Sequence, residues 1–383
     1  MIDLDAIRAD TPGCRDLVFL DNAGSSLPPR QVLDEVQAHL RREAEVGGYR
    51  AAAERAEDLE EGYAVFAELL GCEPHEVAFT DSATRSWLAA VDAMSLSPGD
   101  RVLVTEVEYH SNALGLLNLG IKIERIPSDP SGRVDVDALR DMLDSRVRLV
   151  SLVHVPTNGG LVNPIEPVVE AAHSVGALVL LDACQSIGQL PVDAAALGVD
   201  VISGTGRKWL RGPRGTGVLV IRDQTGLRPR LIDGKAAVWE DSDTFTVAQG
   251  ARAFELWEYG VAERLGLIAA AKYALRLGIS EITAAVSANA SLARSLLAGI
   301  PGVTLHDLGG DKSGIVSFTK AGRSVEEVRD RLWDKGIAVS CSYSSSTRYD
   351  MTRRGIDAVV RASPHYFVSP EQVSEFARAL TDV

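Results

Sequence analysis

Lysine is scarce in this chain, with 7 lysines against 32 arginines in 383 residues, so a lysine placed where chemistry would need one carries more information than usual. Cysteine is also sparse. Cys14, Cys72, Cys184 and Cys341 lack metal-ligand spacing and suit a reducing compartment without disulfides. No apolar run approaches the ~18 uncharged residues of a membrane span. The opening MIDLDAIRADTPG has no basic start followed by an apolar stretch, so no signal peptide is expected. A net charge of −14 argues against nucleic-acid binding, which needs clustered Lys and Arg, and is read as favouring solubility. No internal repeat or low-complexity tract is seen. The expectation is a soluble cytoplasmic protein that binds neither nucleic acid, membrane nor metal.

Hydrophobic residues make up 46% of the chain, enough for a sizeable core, and the length suggests about two or three domains. Short runs rich in Val, Ile and Leu alternate with helical stretches: Val102 to Thr105, Leu149 to Val155, Leu178 to Asp182, Val201 to Ser203 and Gly217 to Ile221. That alternation predicts an α/β domain, a mostly parallel sheet flanked by helices, over residues 20–252. Ahead of these runs, Pro28 and Pro29 suit the first turn of a helix patterned by Val32, Val36 and Leu40 at four-residue spacing. Residues 1–19 and 253–383 are assigned to a small α+β domain with a connecting helix. FELWEYGVAERLGLIAAAKYALRLG supplies that helix as a long amphipathic segment; Ile315 to Phe318, Ile337 to Ser340 and Val359 to Ala362 read as strands. Ser324 with Glu327, and Ser369 with Pro370 and Gln372, read as helix starts.

Lys208 follows the apolar segment Val199 to Ser203, and Asp182 ends Leu178-Val179-Leu180-Leu181 twenty-six residues earlier. A lysine and an aspartate at the ends of neighbouring buried runs are what a pyridoxal phosphate site needs. The amine can form a Schiff base with the aldehyde, and the carboxylate keeps the pyridine nitrogen protonated. Thr80-Asp81-Ser82-Ala83-Thr84 opens a helix whose free N–H groups suit a phosphate, although Ser82 would equally serve as an ordinary cap. Gly212, Gly215 and Gly217 read as a tight turn into the next strand rather than a nucleotide loop.

From LDNAGSSLPP to RASPHYFVSPEQ the chain resembles fold-type I pyridoxal phosphate enzymes of the class V aminotransferase family, cysteine desulfurase group. The resemblance implies Lys208 as the Schiff-base lysine, Asp182 and Gln185 on the ring, Ser82, Ala83 and Thr84 with Thr205 and Arg207 on the phosphate, and Arg361 on the substrate carboxylate. Arg207 replaces the family's histidine, and Tyr109, in TEVEYHSNA, stands where a histidine stacks on the ring. Thr157 holds the register of an asparagine near the cofactor hydroxyl, with Asn158 next to it. Ala23, Gly24 and Tyr49 are further substrate-side candidates. A homodimer with a shared site is implied, the helix around Val261 to Leu277 being the suggested contact, while Glu258 departs from the residue expected to reach the partner.

The departure that matters most concerns sulfur. The mobile nucleophilic cysteine of desulfurases falls at Ser345, and Cys341 lies four residues earlier, near a strand end. REAEVGGYRAAAERA, Tyr109, RKWLRGPRGTGVLV and RASPH look like C–S lyases that cleave S-substituted cysteines, hercynylcysteine sulfoxide lyase of ergothioneine biosynthesis and enzymes of lincosamide biosynthesis among them. The expected activity is therefore β-elimination from an S-substituted cysteine to a thiol or sulfenic acid, pyruvate and ammonia. Gly47, Gly48, Tyr49 and Tyr343 to Ser346 are expected to read the sulfur substituent. Oxidative decarboxylation, transamination, epimerisation and cysteine desulfuration are the alternatives, and a catalytically silent cofactor-binding scaffold is the non-enzyme one.

Overall fold

The computed structural model describes residues 2–383. Seven strands form the main sheet: β1 (Val77–Thr80), β2 (Arg101–Thr105), β3 (Ile123–Ile126), β4 (Val147–Val153), β5 (Leu178–Asp182), β6 (Val201–Thr205) and β7 (Gly217–Ile221), in the order β1-β7-β6-β5-β4-β2-β3. Only β7 runs against the others. Val102, Leu103 and Val104 are all fully buried, as are Val179, Leu180 and Leu181. Alternating faces are thus both covered, which is why these strands read as continuous apolar runs. The carboxyl ends of β4, β5 and β6 meet at one edge, where open α/β sheets place ligands.

A second sheet comprises β8 (Val303–Leu305), β9 (Val316–Lys320), β10 (Ser340–Tyr343) and β11 (Ala358–Ala362), fully antiparallel in the order β8-β9-β11-β10. The run Ile337 to Ser340 is not one strand. Ile337–Ala338 pairs in parallel with Val18–Phe19, and β10 begins at Ser340. The N-terminal segment is thereby fixed beside the second sheet, with the Ser363 N–H donating to Leu20 O at 2.6 Å. Beyond Leu20 the chain runs on to the edge where β5 and β6 end. Capping boxes form at Ser324 with Glu327 and at Ser369 with Gln372.

Two helices differ from their sequence reading. In Arg30–Val46, Pro29 is the N-cap, and His39 is buried at 2% exposure while Leu40 is 48% exposed. Residues four apart turn 400° rather than a full number of turns, so the Val32, Val36, Leu40 series drifts off the buried face and His39 falls on it. The helix Val261–Leu277 is not amphipathic: Arg264, Leu265, Gly266, Leu267 and Ile268 are all buried. It packs on Arg30–Val46 and Ala56–Leu70, and a Cβ at Gly266 would sit 2.6 Å from Val36. Small residues let neighbouring helices close around it, so it is an internal helix and offers no apolar face to a second copy.

Candidate active site

β6 carries Lys208 to the sheet edge, and a compact turn holds it there. The Gly206 N–H donates to Thr216 O at 3.2 Å and the Gly212 N–H to Gly206 O at 2.7 Å. Arg211, three residues past Lys208, adopts φ +64°, a left-handed conformation uncommon for a side chain of its size. It is held by donation to Leu27 O, Tyr366 Oη and Thr11 Oγ1 at 2.8, 2.8 and 2.6 Å, with Phe367 packed under its guanidinium. Both ends of the chain therefore buttress the lysine turn.

Lys208 is 9% exposed, and its amine has neither a hydrogen bond nor an ion pair among the described residues. Burial lowers its pKa to about 8. It lines a cavity of about 600 Å³ shared with Asp182, Gln185, Tyr109, Arg207 and Thr205. Asp182 ends β5; its Oδ2 accepts from Asn112 Nδ2 at 3.0 Å and its Oδ1 from the Cys184 N–H at 3.0 Å. Gln185 accepts from Trp209 Nε1 at 2.9 Å and donates to Ala23 O at 3.1 Å, which ties the residue after Lys208 to the N-terminal segment.

Ser82, Ala83 and Thr84 form another wall. Ser82 does cap the helix Ala83–Ala93, its Oγ accepting the Arg85 N–H at 3.2 Å, and the backbone closes on β7 so tightly that a Cβ at Gly217 would lie 2.5 Å from Ser82 C. That contact brings the positive end of the helix to Lys208. Arg207 donates to Gly24 O. Tyr109 has its ring against His110 and its hydroxyl pKa raised, chiefly by burial.

Arg361 is buried beside the cavity and reaches it through Thr157, to whose O and Oγ1 it donates at 2.9 and 2.8 Å. Its other contacts are Ser340 Oγ at 3.2 Å and Asp21 Oδ1 at 3.4 Å. Two candidates lie elsewhere. Asn158 donates to Asp350 Oδ2 at 3.0 Å, turned toward the helix Arg348–Arg353 and off the cavity wall. Tyr49, on the helix Gly48–Glu54, is 83% exposed and does not line the cavity. Ser345 lines a different, apolar cavity of about 820 Å³ with Leu114, Leu117 and Tyr349. Cys184, read in the sequence only as one of four cysteines without metal-ligand spacing, is the one cysteine on the Lys208 cavity wall among the described residues. Burial raises its thiol well above the usual range.

The family model for class-V aminotransferases matches residues 18–376. The chain belongs to the class-V aminotransferase family. A probable cysteine desulfurase of Streptomyces coelicolor is 31% identical, covering all of this chain and 97% of the relative. One from Mycolicibacterium paratuberculosis is 30% identical over 99% of this chain, which spans 58% of that relative's length. The apo structure of the cysteine desulfurase from Thermococcus onnurineus superposes with a TM-score of 0.91 at 25% identity, covering 100% and 98% of the two chains. The fold is thus that of the pyridoxal phosphate-dependent transferases. A cystine C–S lyase at 22% identity and TM-score 0.86 shares that fold and shows nothing further.

These comparisons overturn the expected β-elimination from S-substituted cysteines. The full-length relatives carry the desulfurase name, and neither hercynylcysteine sulfoxide lyase nor ergothioneine biosynthesis finds support. One fold hosts many reactions, so the likeness of short segments such as RASPH and of the Tyr109 replacement to particular lyases did not identify the reaction.

Proposed function

We propose that this chain is a pyridoxal phosphate-dependent enzyme that acts on L-cysteine as a desulfurase, forming alanine and transferring sulfur to a thiol. The observation that carries the reading is the buried, partnerless Lys208 amine on the wall of the cavity that Asp182 also lines. The residues fit the cofactor: an amine for its aldehyde, a carboxylate for its ring nitrogen, and a helix start with Arg207 for its phosphate. Pyridoxal phosphate, when bound, supplies an electrophilic carbon and an electron-accepting ring.

The chain's own groups do the rest. A Lys208 pKa near 8 leaves a useful neutral fraction at physiological pH, able to take a proton from the substrate Cα and return it. Asp182 presents a carboxylate whose two oxygens are fixed from behind. Arg361 exchanges its Thr157 and Asp21 contacts for the substrate carboxylate and so orients Cα. Residue 345 is a serine, and Cys341 is turned to the Val325 carbonyl, so the sulfur acceptor in this reading is a thiol from outside the chain: cysteine plus RSH gives alanine plus RSSH. A cytoplasmic homodimer remains part of the proposal, following the family resemblance.

The test is to load the protein with pyridoxal phosphate, supply L-cysteine with an excess of free thiol, which reduces the RSSH product to RSSR and sulfide, and follow alanine, sulfide and pyruvate together. Alanine and sulfide in equal amounts, lost in Lys208→Ala, is the expected result. Pyruvate without alanine, or no visible-absorbance change on adding the cofactor, would sink the reading.

A further inference from the structure

Behind Asp182 lies a buried polar cluster that the proposed reaction does not use directly. Asn112 sits in the first turn of the helix His110–Asn118, and its Nδ2 donates both to Asp182 Oδ2 at 3.0 Å and to Glu108 Oε1 at 2.9 Å. One amide nitrogen therefore bridges two carboxyl groups. Asn112, Glu108 and Asp182 are 3%, 1% and 6% exposed. Glu108 also accepts the Tyr109 N–H at 2.9 Å, and its Oε2 lies 2.9 Å from Ser151 Oγ on β4.

We infer that Asn112 is a positioning residue that fixes the plane and charge of the Asp182 carboxylate, with the Glu108 carboxyl as its anchor; this rests on reading Lys208 and Asp182 as a pyridoxal phosphate site. Asp182 has one internal donor on each oxygen, the Cys184 N–H and the Asn112 amide, so it cannot rotate without breaking a buried hydrogen bond. A free amide would flip between partners; Glu108 stops that by taking the second Nδ2 hydrogen.

Two carboxylates so close in a dry interior cannot both carry charge cheaply. The groups around the cluster decide which one does. Lys208 and Arg207 stand on the Asp182 side, whereas Glu108 is bonded to Asn112, Ser151 and the Tyr109 N–H and borders the second, mostly apolar cavity, whose titratable and charged members are His110, Tyr349 and Arg348. Burial first, opposed by hydrogen bonds and reinforced by the Asp182 charge, pushes Glu108 up to about 8. Burial thus favours the protonated form of Glu108, whose Oε2 accepts from Ser151 Oγ and whose Oε1 accepts the two N–H groups. Asp182 is the member of the pair that lines the cavity, where a protonated ring nitrogen would need a carboxylate.

The variants are Asn112→Ala, Glu108→Ala and Glu108→Gln, each loaded with pyridoxal phosphate. The readouts are the pH titration of the cofactor's visible absorbance, kcat and KM for L-cysteine, and thermal melting. Asn112→Ala is expected to lower kcat roughly ten- to a hundredfold, the range for losing a hydrogen bond to a charged group, with KM little changed. Its absorbance titration should move to higher pH, because a carboxylate without its donor takes the ring proton more readily and the ring then withdraws less from the lysine linkage. Glu108→Ala should behave alike, and Glu108→Gln, which keeps an acceptor for both N–H groups, should recover most of the loss. If Asn112→Ala does not fold, Asn112→Leu is the second probe: it keeps the approximate size, has no donor, and should shift the titration the same way. A lower melting temperature with an unmoved titration and kcat would overturn the inference and leave Asn112 as structure only. A wild-type protein that shows no absorbance change with pyridoxal phosphate would overturn the site reading instead, and this inference with it.

Discussion

The main-sheet wall of the site and the second-sheet wall are built to different rules. On the main-sheet side, Lys208, Asp182 and Gln185 sit at or just beyond strand ends, and Asp182 and Gln185 are immobilised by neighbours: Asp182 by Asn112 and Cys184, Gln185 by Trp209 and Ala23. On the second-sheet side, Arg361 is held by Thr157, Ser340 and Asp21, partners that a substrate carboxylate can replace. The segment Ser344–Ser346 beyond β10 is a short turn that faces a separate apolar cavity. In the proposed function, one wall would present fixed groups to a ring and the other exchangeable groups to a substrate.

The largest effect that tests this contrast belongs to the fixed wall. Lys208→Ala is expected to reduce alanine formation by at least ~10³-fold, since one amine serves as both linkage and proton carrier, while far-UV circular dichroism stays native. On the exchangeable wall, Arg361→Ala should cost about 2–5 kcal/mol in kcat/KM, much of it because Asp21 and the substrate carboxylate are left without their cation. Arg361→Lys should recover part of that loss but not the forked geometry. Full activity in either alanine variant would erase the distinction between the walls.

A subtler test concerns stability in the absence of cofactor. The Lys208 pKa is about 8 in the fold and about 10.5 when unfolded. Between those values the unfolded chain binds the proton and the fold does not, so stability rises with pH across that window; below about 8 the whole penalty is present. Lys208→Met should therefore raise apo stability by about 3 kcal/mol at pH 7, a gain that fades toward pH 10.5. Urea denaturation at pH 7 and pH 10 measures it. An equal gain at both pH values would mean that packing, not the buried charge, is the cause.

The same division decided how much could be read from the sequence. β5 and β7 have the bounds expected for them, Leu178–Asp182 and Gly217–Ile221, because strands buried on both faces appear as unbroken apolar runs. Asp182 was visible as a carboxylate at the end of such a run, and Lys208 as a rare lysine beyond the next. Asn112 and Glu108 were not, since a buried polar bridge has no periodicity and is assembled by elements 40 to 70 residues apart. Helix burial misled in a different way: apolar spacing suggested a stripe on Val261–Leu277, but alanine and glycine let it be surrounded. The reaction was read from short segments on both walls, Tyr109 and the Lys208 turn on one and RASPH on the other, and such local likeness says little about which bond is cleaved.

The smallest expected effect is that of Cys341→Ser, and it asks whether any sulfur passes through the second-sheet wall. Cys341 lies on β10 directly after Ser340, which pairs with Arg361 and accepts from its Nε. Successive strand residues face opposite sides, so the Cys341 thiol points away from Arg361 and donates to Val325 O at 3.4 Å. Burial also raises its pKa, which suppresses the nucleophilic thiolate. A serine fits this environment, since its hydroxyl can donate to the same carbonyl, and the stability change should stay within about 1 kcal/mol. Alanine and sulfide production should change by less than about threefold, ~0.6 kcal/mol. Mass spectrometry of the wild-type protein during turnover is the decisive companion measurement. A persulfide trapped on Cys341, together with lost sulfide production in Cys341→Ser, would show that β10 must open during turnover and that the exchangeable wall carries the sulfur itself.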